Sequence, residues 1–313
     1  MSIAKRIEMY AIEIYNLSKS YGLVRALTDI SFSVEEGEIF GLIGPDGSGK
    51  TSLFRILTTL LKPDSGEAMI RGLDVIRDFK QVRKIVGYMP GRFSLYQDLT
   101  VEENLSFYAT VFGTTIEKNY DLIKDIYQHI EPFKTRRAGR LSGGMKQKLA
   151  LSCALIHSPD ILILDEPTTG VDAVSRKEFW EMLINLKKRG ITIIVSTPYM
   201  DEAALCQRVG LIQNGQMLIV NTPEFIRDQF SEELFAVKSS EMYRLVRDLE
   251  SFKMIRTAFL FGQSVHITLN KIENPVNELT GYLDGLGHTQ IQIKHTAPDI
   301  EDCFMELMTK NIE

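Results

Sequence analysis

The chain has 313 residues, room for two domains, and its 44% hydrophobic and 25% charged composition is that of an ordinary globular protein. A net charge of -5 carries no global basic footprint for nucleic acid, so no nucleic-acid partner is expected. No apolar run approaches the roughly 20 residues that span a bilayer.

The N-terminus, MSIAKRIEMY, lacks the apolar core of a signal peptide. The chain is therefore expected in the cytosol, touching a membrane only through a partner. Cys153, Cys206 and Cys303 are isolated, odd in number and without zinc spacing, which reads as free thiols in a reducing compartment.

Residues 10–40 alternate in short segments, YAIEIYNLSKSYG and RALTDISFSVEEGE, and predict antiparallel strands. Glu38–Ile43 predicts a buried strand running into a glycine-rich turn. Lys50–Leu61 predicts a helix, ended by Pro63-Asp64-Ser65-Gly66. The stretch 88–150 reads as mainly helical. Within it Thr100-Val101-Glu102-Glu103 has the capping-box pattern, which starts a helix at Val101.

Asp160–Leu164 and Ile191–Thr197 are continuous apolar or β-branched runs, suited to central parallel strands covered on both faces. Asp172–Arg189 predicts an amphipathic helix between them. From about residue 225 the pattern changes. Residues 232–308 read strand, helix, strand, strand, helix, strand, helix, which suggests a small ferredoxin-like βαββαβ domain. Asn274-Pro275 has the look of a helix start, with a capping Asn and Pro at the first helical position.

Gly44-Pro45-Asp46-Gly47-Ser48-Gly49-Lys50-Thr51 satisfies G-x-x-x-x-G-K-[ST] and lies between a predicted strand and helix. Glycines there let backbone N–H groups turn inward around phosphates, and a helix N-terminus adds a favourable dipole. Lys50 would supply charge to the β- and γ-phosphates, and the Thr51 hydroxyl a Mg2+ ligand. Ile161-Leu162-Ile163-Leu164-Asp165-Glu166 adds a buried strand with two carboxylates at its C-terminal end, where open α/β sheets bind ligands. Asp165 would hold Mg2+ through water, and Glu166 would polarise the attacking water. ATP and Mg2+ are the ligands these motifs call for.

Many P-loop enzymes share those motifs. Leu141-Ser142-Gly143-Gly144-Met145-Lys146-Gln147 separates them, because it resembles the LSGGQ signature of ATP-binding cassette (ABC) proteins. It reads as a second anion-binding helix start, with Ser142 and the Gly143 and Gly144 amides able to grip a γ-phosphate. The resemblance covers about residues 10–225. It implies an α/β P-loop cassette with a parallel core sheet, an antiparallel β subdomain and a helical subdomain at about 92–150, followed by a small α+β domain over 230–313.

The resemblance also implies that the signature faces the P-loop of a second cassette, in a homo- or heterodimer, with ATP between them. Thr169-Gly170-Val171-Asp172 is similar to the D-loop lining that interface. Tyr21 stands where the family stacks an aromatic ring on adenine. The partners implied are membrane-spanning permease subunits, with the cassette peripheral on the inner face of the cell membrane. Ala297-Pro298-Asp299-Ile300-Glu301-Asp302-Cys303-Phe304 is similar to the end of daunorubicin-resistance-type exporter subunits. In that branch the C-terminal domain is associated with assembly or regulation.

Two positions depart from the family. Its Q-loop glutamine is Gly91, after Tyr88-Met89-Pro90, and its switch histidine is Pro198. The five histidines, 129, 157, 266, 288 and 295, are all remote from 198 in sequence. ATP binding is expected to survive, with hydrolysis at the chain's own site slowed by a factor of about 10²–10³ for each missing group. Restoring Gln and His at 91 and 198 is expected to raise it. The other readings of the same motifs are an ATP-binding regulatory half of an asymmetric heterodimer, and a soluble ABC ATPase unconnected with transport.

Overall fold

The computed structural model describes residues 10–270 and 274–310. The chain divides into two compact units, the first ending at Pro223 and the second beginning at Glu224.

In the first unit, β1 (Tyr10–Tyr21) and β2 (Val24–Glu35) form a long antiparallel hairpin. Its turn at Gly22 needs the left-handed region, φ 59°. Then follow β3 (Ile39–Ile43), α1 (Lys50–Leu57), β4 (Ser65–Ile70), β5 (Leu73–Asp74), α2 (Phe79–Ile85) and β6 (Val86–Met89). Helices α3 (Val101–Val111), α4 (Tyr120–Tyr127) and α5 (Gly143–Leu155) come next. The unit closes with β7 (Ile161–Asp165), α6 (Ala173–Lys188), β8 (Thr192–Thr197), α7 (Met200–Ala203), β9 (Arg208–Gln213) and β10 (Gln216–Asn221). The short α8 (Pro223–Asp228) begins at the boundary.

These strands make two sheets, ordered β10-β9-β3-β8-β7-β6 and β2-β1-β4-β5. In the first, every pair from β9 to β6 is parallel. The central strands β3, β7 and β8 are buried along their whole length, as their unbroken apolar runs require. The register places Ile43 beside Thr197, Asp165 beside Ser196 and Met89 beside Leu164. The loops after β3, β6, β7 and β8 therefore emerge at one edge.

The core of the unit joins both sheets through α1: Ile12 and Ile14 of β1, Phe40 and Leu42 of β3, and Leu53, Phe54 and Leu57 of α1 share one apolar cluster. Phe32 stacks on Phe40 across it, ring centroids 5.1 Å apart.

Local signals set the helix starts. Thr100 and Glu103 make the reciprocal capping box: Glu103 N–H donates to Thr100 Oγ1 (3.2 Å) and Thr100 N–H to Glu103 Oε2 (2.8 Å). Asp172 caps α6 by accepting from Ser175 N–H at 3.0 Å.

The helix expected over Lys50–Leu61 stops at Leu57. Thr59 enters the left-handed region (φ 62°) although it is β-branched, because Arg83 grips it through Oγ1 (2.6 Å) and the carbonyl oxygen (3.2 Å). A tertiary contact thus overrides an apolar pattern that continues through Leu60 and Leu61.

The second unit runs β11 (Leu234–Lys238), α9 (Met242–Glu250), β12 (Ile255–Phe261), β13 (Ser264–Leu269), α10 (Pro275–Gly285), β14 (Gln292–His295) and α11 (Ile300–Lys310). Its antiparallel sheet has the order β12-β13-β11-β14. Phe235 and Val237, Val265 and Ile267, and Leu245, Leu249, Leu279 and Leu283 build its separate core.

Pro275 opens α10, but Asn274 does not cap it with its side chain. Asn274 sits at φ 56°, and its carbonyl takes the N–H groups of Asn277 and Glu278 instead. The three cysteines are buried and free. Among the described residues no helix is long and apolar enough to cross a membrane.

Candidate nucleotide site

The glycine-rich turn leaves β3 with no space for a side chain at Gly44 or Gly49. A Cβ on Gly44 would lie 2.1 Å from the Ile212 carbonyl oxygen, and one on Gly49, at φ 110°, 2.4 Å from that of Ala26. Pro45, Asp46 and Gly47 form the exposed crest, with Pro45 O accepting from Ser48 N–H. Ser48 is only 3% exposed, and its Oγ has no partner among the described residues. Lys50, also 3% exposed, folds back so that Nζ donates to Gly44 O (2.8 Å) and Pro45 O (3.1 Å). Thr51 follows it in the first turn of α1.

Across the edge, β7 delivers Asp165 and then Glu166. Ser196 of β8 organises both: its Oγ donates to Asp165 Oδ1 at 2.8 Å and accepts from Glu166 N–H at 3.0 Å. Glu166 takes φ 49°, a conformation unusual outside glycine, and its Oε1 lies 3.5 Å from Lys50 Nζ. Lysine, buried aspartate and the turned glutamate are thus assembled at one point. Burial first, and the Asp165 charge second, push the neighbouring Tyr88 phenol up to about 12.

Gly91 sits against this group. A Cβ there would lie 3.0 Å from Asp165 O and 3.8 Å from its carboxyl carbon. The backbone of Gln97, the glutamine six residues after Gly91, is tied to another loop, its carbonyl taking Gly139 N–H at 2.9 Å. Pro198 follows Thr197, the residue paired with Ile43 at the root of the turn, so it stands at the same edge. Tyr21 is 45% exposed and anchored by a 3.4 Å contact from its hydroxyl to Ser52 Oγ on α1. Its ring is thereby tied to the first turn of α1, with Lys19 Nζ 6.0 Å from its centroid.

A family model described as ABC transporter matches residues 27–169. The Nod factor export ATP-binding protein I of Rhizobium sp. (strain N33) is 32% identical over 310 residues, covering 97% of this chain and 98% of that protein. The chain belongs to the ATP-binding subunits of ABC transporters. A second relative, from Escherichia coli (strain K12), is named probable multidrug ABC transporter ATP-binding protein YbhF. It is 38% identical over 287 residues, and the match takes in 90% of this chain and 49% of that protein. The chain thus spans about half the length of YbhF.

Two solved structures carry the same fold. The cbiO1 subunit of a cbiONQ ABC transporter complex from Clostridium perfringens is 26% identical with a TM-score of 0.64, over 71% of this chain and 92% of that one. A dimeric ATP-binding cassette in a post-hydrolysis state, bound to ADP and Pi, is 25% identical with a TM-score of 0.62, over 67% of this chain and 98% of that one.

In this ABC subunit the signature stands apart from the chain's own P-loop. Ser142 caps α5, its Oγ accepting from Met145 N–H at 3.4 Å. A Cβ on Gly144 would strike Ser175 Oγ at 2.7 Å, and one on Gly143 would face Gly170 O at 3.5 Å. The helix tip therefore leans on the Thr169–Asp172 loop and the start of α6. No hydrogen bond or ion pair joins Ser142, Gly143 or Gly144 to Lys50 or Glu166 among the described residues.

Sequence reasoning missed Ser196. It reads as one polar residue ending an apolar strand, and only the pairing of β7 with β8 brings it to Asp165. Thr197 and Glu202 were missed for a similar reason, since their 2.6 Å hydrogen bond needs the turn between β8 and α7.

Proposed function

We propose that this subunit binds ATP with Mg2+ between its own P-loop and the signature of a second cassette, and that closure of the pair drives a membrane-spanning permease in export. The observation that carries the reading is the convergence of Lys50, Ser48, Asp165 and Glu166 on one edge, with the Ser142 helix tip held away from it.

The residues fit the ligand. The orphaned Ser48 hydroxyl, the cradle that any Cβ at Gly44 would fill, and buried Lys50 together suit a polyphosphate. Incoming phosphate oxygens would take Lys50 from the Gly44 and Pro45 carbonyls and from Glu166. Amides of Gly47, Ser48 and Gly49 would surround the phosphates, and Tyr21 would stack on adenine. Thr51 and Asp165 would hold Mg2+, which supplies charge neutralisation for the phosphates. Glu166, freed from Lys50, would orient water and accept its proton. Ser142, Gly143 and Gly144 would contact the γ-phosphate bound by the partner cassette.

Export is supported by the name of the Nod factor export relative, and transport by that of the probable multidrug transporter relative. The second unit is assigned to assembly or regulation of the complex. Peripheral attachment to the inner face of the membrane follows from the permease contact.

A second reading, an asymmetric heterodimer, is favoured by Gly91 and Pro198 beside an intact LSGGM. This chain's P-loop would then hold ATP and turn over slowly, while its signature completes a faster partner site. Titration with the fluorescent analogue MANT-ATP tests the main reading. Lys50→Ala is expected to weaken binding at least about 10²-fold, as loss of a charged, desolvated contact does; wild-type affinity in that variant would overturn it.

A further inference from the structure

The turn between β8 and α7, where the family carries its histidine, is gripped from outside the nucleotide site. Arg176 reaches it from the first turns of α6. Its guanidinium lies over the Tyr199 ring, 4.6 Å from the centroid. It also lies 3.5 Å from Asp201 Oδ2 and 3.9 Å from Glu202 Oε1. Glu202 is 3% exposed, and its other oxygen accepts from Thr197 Oγ1 at 2.6 Å. The same Thr197 oxygen accepts from Tyr199 N–H at 3.0 Å. One residue earlier, Ser196 holds Asp165 and the Glu166 amide.

A continuous set of contacts therefore runs from Asp165 and Glu166, through Ser196 and Thr197, to the Tyr199–Glu202 turn and Arg176. Beyond Arg176 lies the start of α6, whose cap Asp172 ends the loop against which the signature helix leans. A cavity of about 260 Å3 separates α6 from α7, lined in part by Arg176, Trp180, Asp201, Glu202 and Leu205. A close-packed seam resists displacement, whereas a gap of this size gives the turn room to take a second position.

We propose that Arg176 is a positioning residue that couples the nucleotide site to α6 by holding the switch turn. Pro198 has no N–H to give a phosphate, so position 198 does not report on the nucleotide by a hydrogen bond of its own. The turn reports through Ser196, which shifts when Asp165 and Glu166 take up their ligand-bound positions. Arginine suits the task because its planar group stacks on the ring while its N–H groups face two carboxylates. The inference rests on the nucleotide reading above.

Trp180, one turn on from Arg176, is the chain's single tryptophan and lines the same cavity, so its emission reports on the seam. In the full-length wild type, ATP with Mg2+ is expected to change Trp180 emission in parallel with site occupancy, itself measured independently with directly excited MANT-ATP. In Arg176→Ala, MANT-ATP affinity is expected to stay within about twofold while the Trp180 response falls below about a quarter. Arg176→Lys, which keeps the charge, should recover at least half of the response.

Because Arg176 is Trp180's neighbour, Tyr199→Leu provides a change on the switch turn, where the guanidinium stacks, and it also serves if Arg176→Ala does not fold. It too should lose most of the response at unchanged affinity. A full response in Tyr199→Leu or in Arg176→Ala overturns the proposal, as does a wild type that binds MANT-ATP without any change at Trp180. A wild type that does not bind MANT-ATP strikes the nucleotide reading instead.

Discussion

Positions 91 and 198 are equivalent as departures from a motif but not as places in the structure. At Gly91 a Cβ would sit 3.0 Å from the Asp165 carbonyl oxygen, and Asp165 is pinned from the other side by Ser196. Pro198 is half-buried at the end of β8. Pro198→His is therefore expected to raise ATP hydrolysis about tenfold or more, by returning a γ-phosphate donor. Gly91→Gln alone is expected to give no gain, because the new Cβ presses on the Asp165 backbone carbonyl, from which the carboxylate it should assist is hung. Phosphate release by the purified variants decides both. Equal gains from the two would mean that the Asp165 contact yields freely.

Helix ends carry the next level of control. Thr100→Ala removes the hydroxyl that accepts from Glu103 N–H while leaving the backbone N–H of position 100 to Glu103 Oε2, and is expected to lower stability by about 1 kcal/mol, read from the urea midpoint. At α6 the Ser175 N–H holds the Asp172 carboxyl below its ordinary value of 3.8. A depressed folded-state value gives stability that is fully present above 3.8 and is lost as pH falls through the lower folded value. The difference in thermal midpoint between wild type and Asp172→Ala should accordingly shrink as pH drops from neutral to about 3. A constant difference would show that the cap acts through geometry alone. The lean of α5 on Ser175 makes this same helix start a support for the signature.

For the whole molecule, the site as proposed is incomplete in one chain, because the P-loop and the Ser142 helix tip share no hydrogen bond or ion pair among the described residues. The subunit alone is expected to hydrolyse ATP slowly. A partner cassette with a complete switch should raise turnover of the pair about 10²-fold, mostly through the site built from this chain's signature. Mutating Ser142 would then abolish more of the pair's activity than mutating Lys50 of the same chain. Phosphate release by the two mixed pairs measures it, and equal losses would favour a symmetric dimer.

Much of this was legible residue by residue, because short-range chemistry leaves short-range patterns. Gly44 and Gly49 stand where backbone crowds backbone, Thr100 and Glu103 are three apart because a helix turn is, and the buried runs of β3, β7 and β8 follow from a sheet covered on both faces. The α/β class followed from those strings, and the family from the likeness of residues 141–147 to the LSGGQ signature. What the string does not hold is which strands lie side by side. Ser196 reaches Asp165, Lys50 reaches Glu166, Arg83 stops α1 and Arg176 grips the switch turn only once β3, β7 and β8 are in register and α6 has packed back. Each of these contacts joins residues far enough apart that their pairing depends on the closed fold, and no local periodicity encodes it.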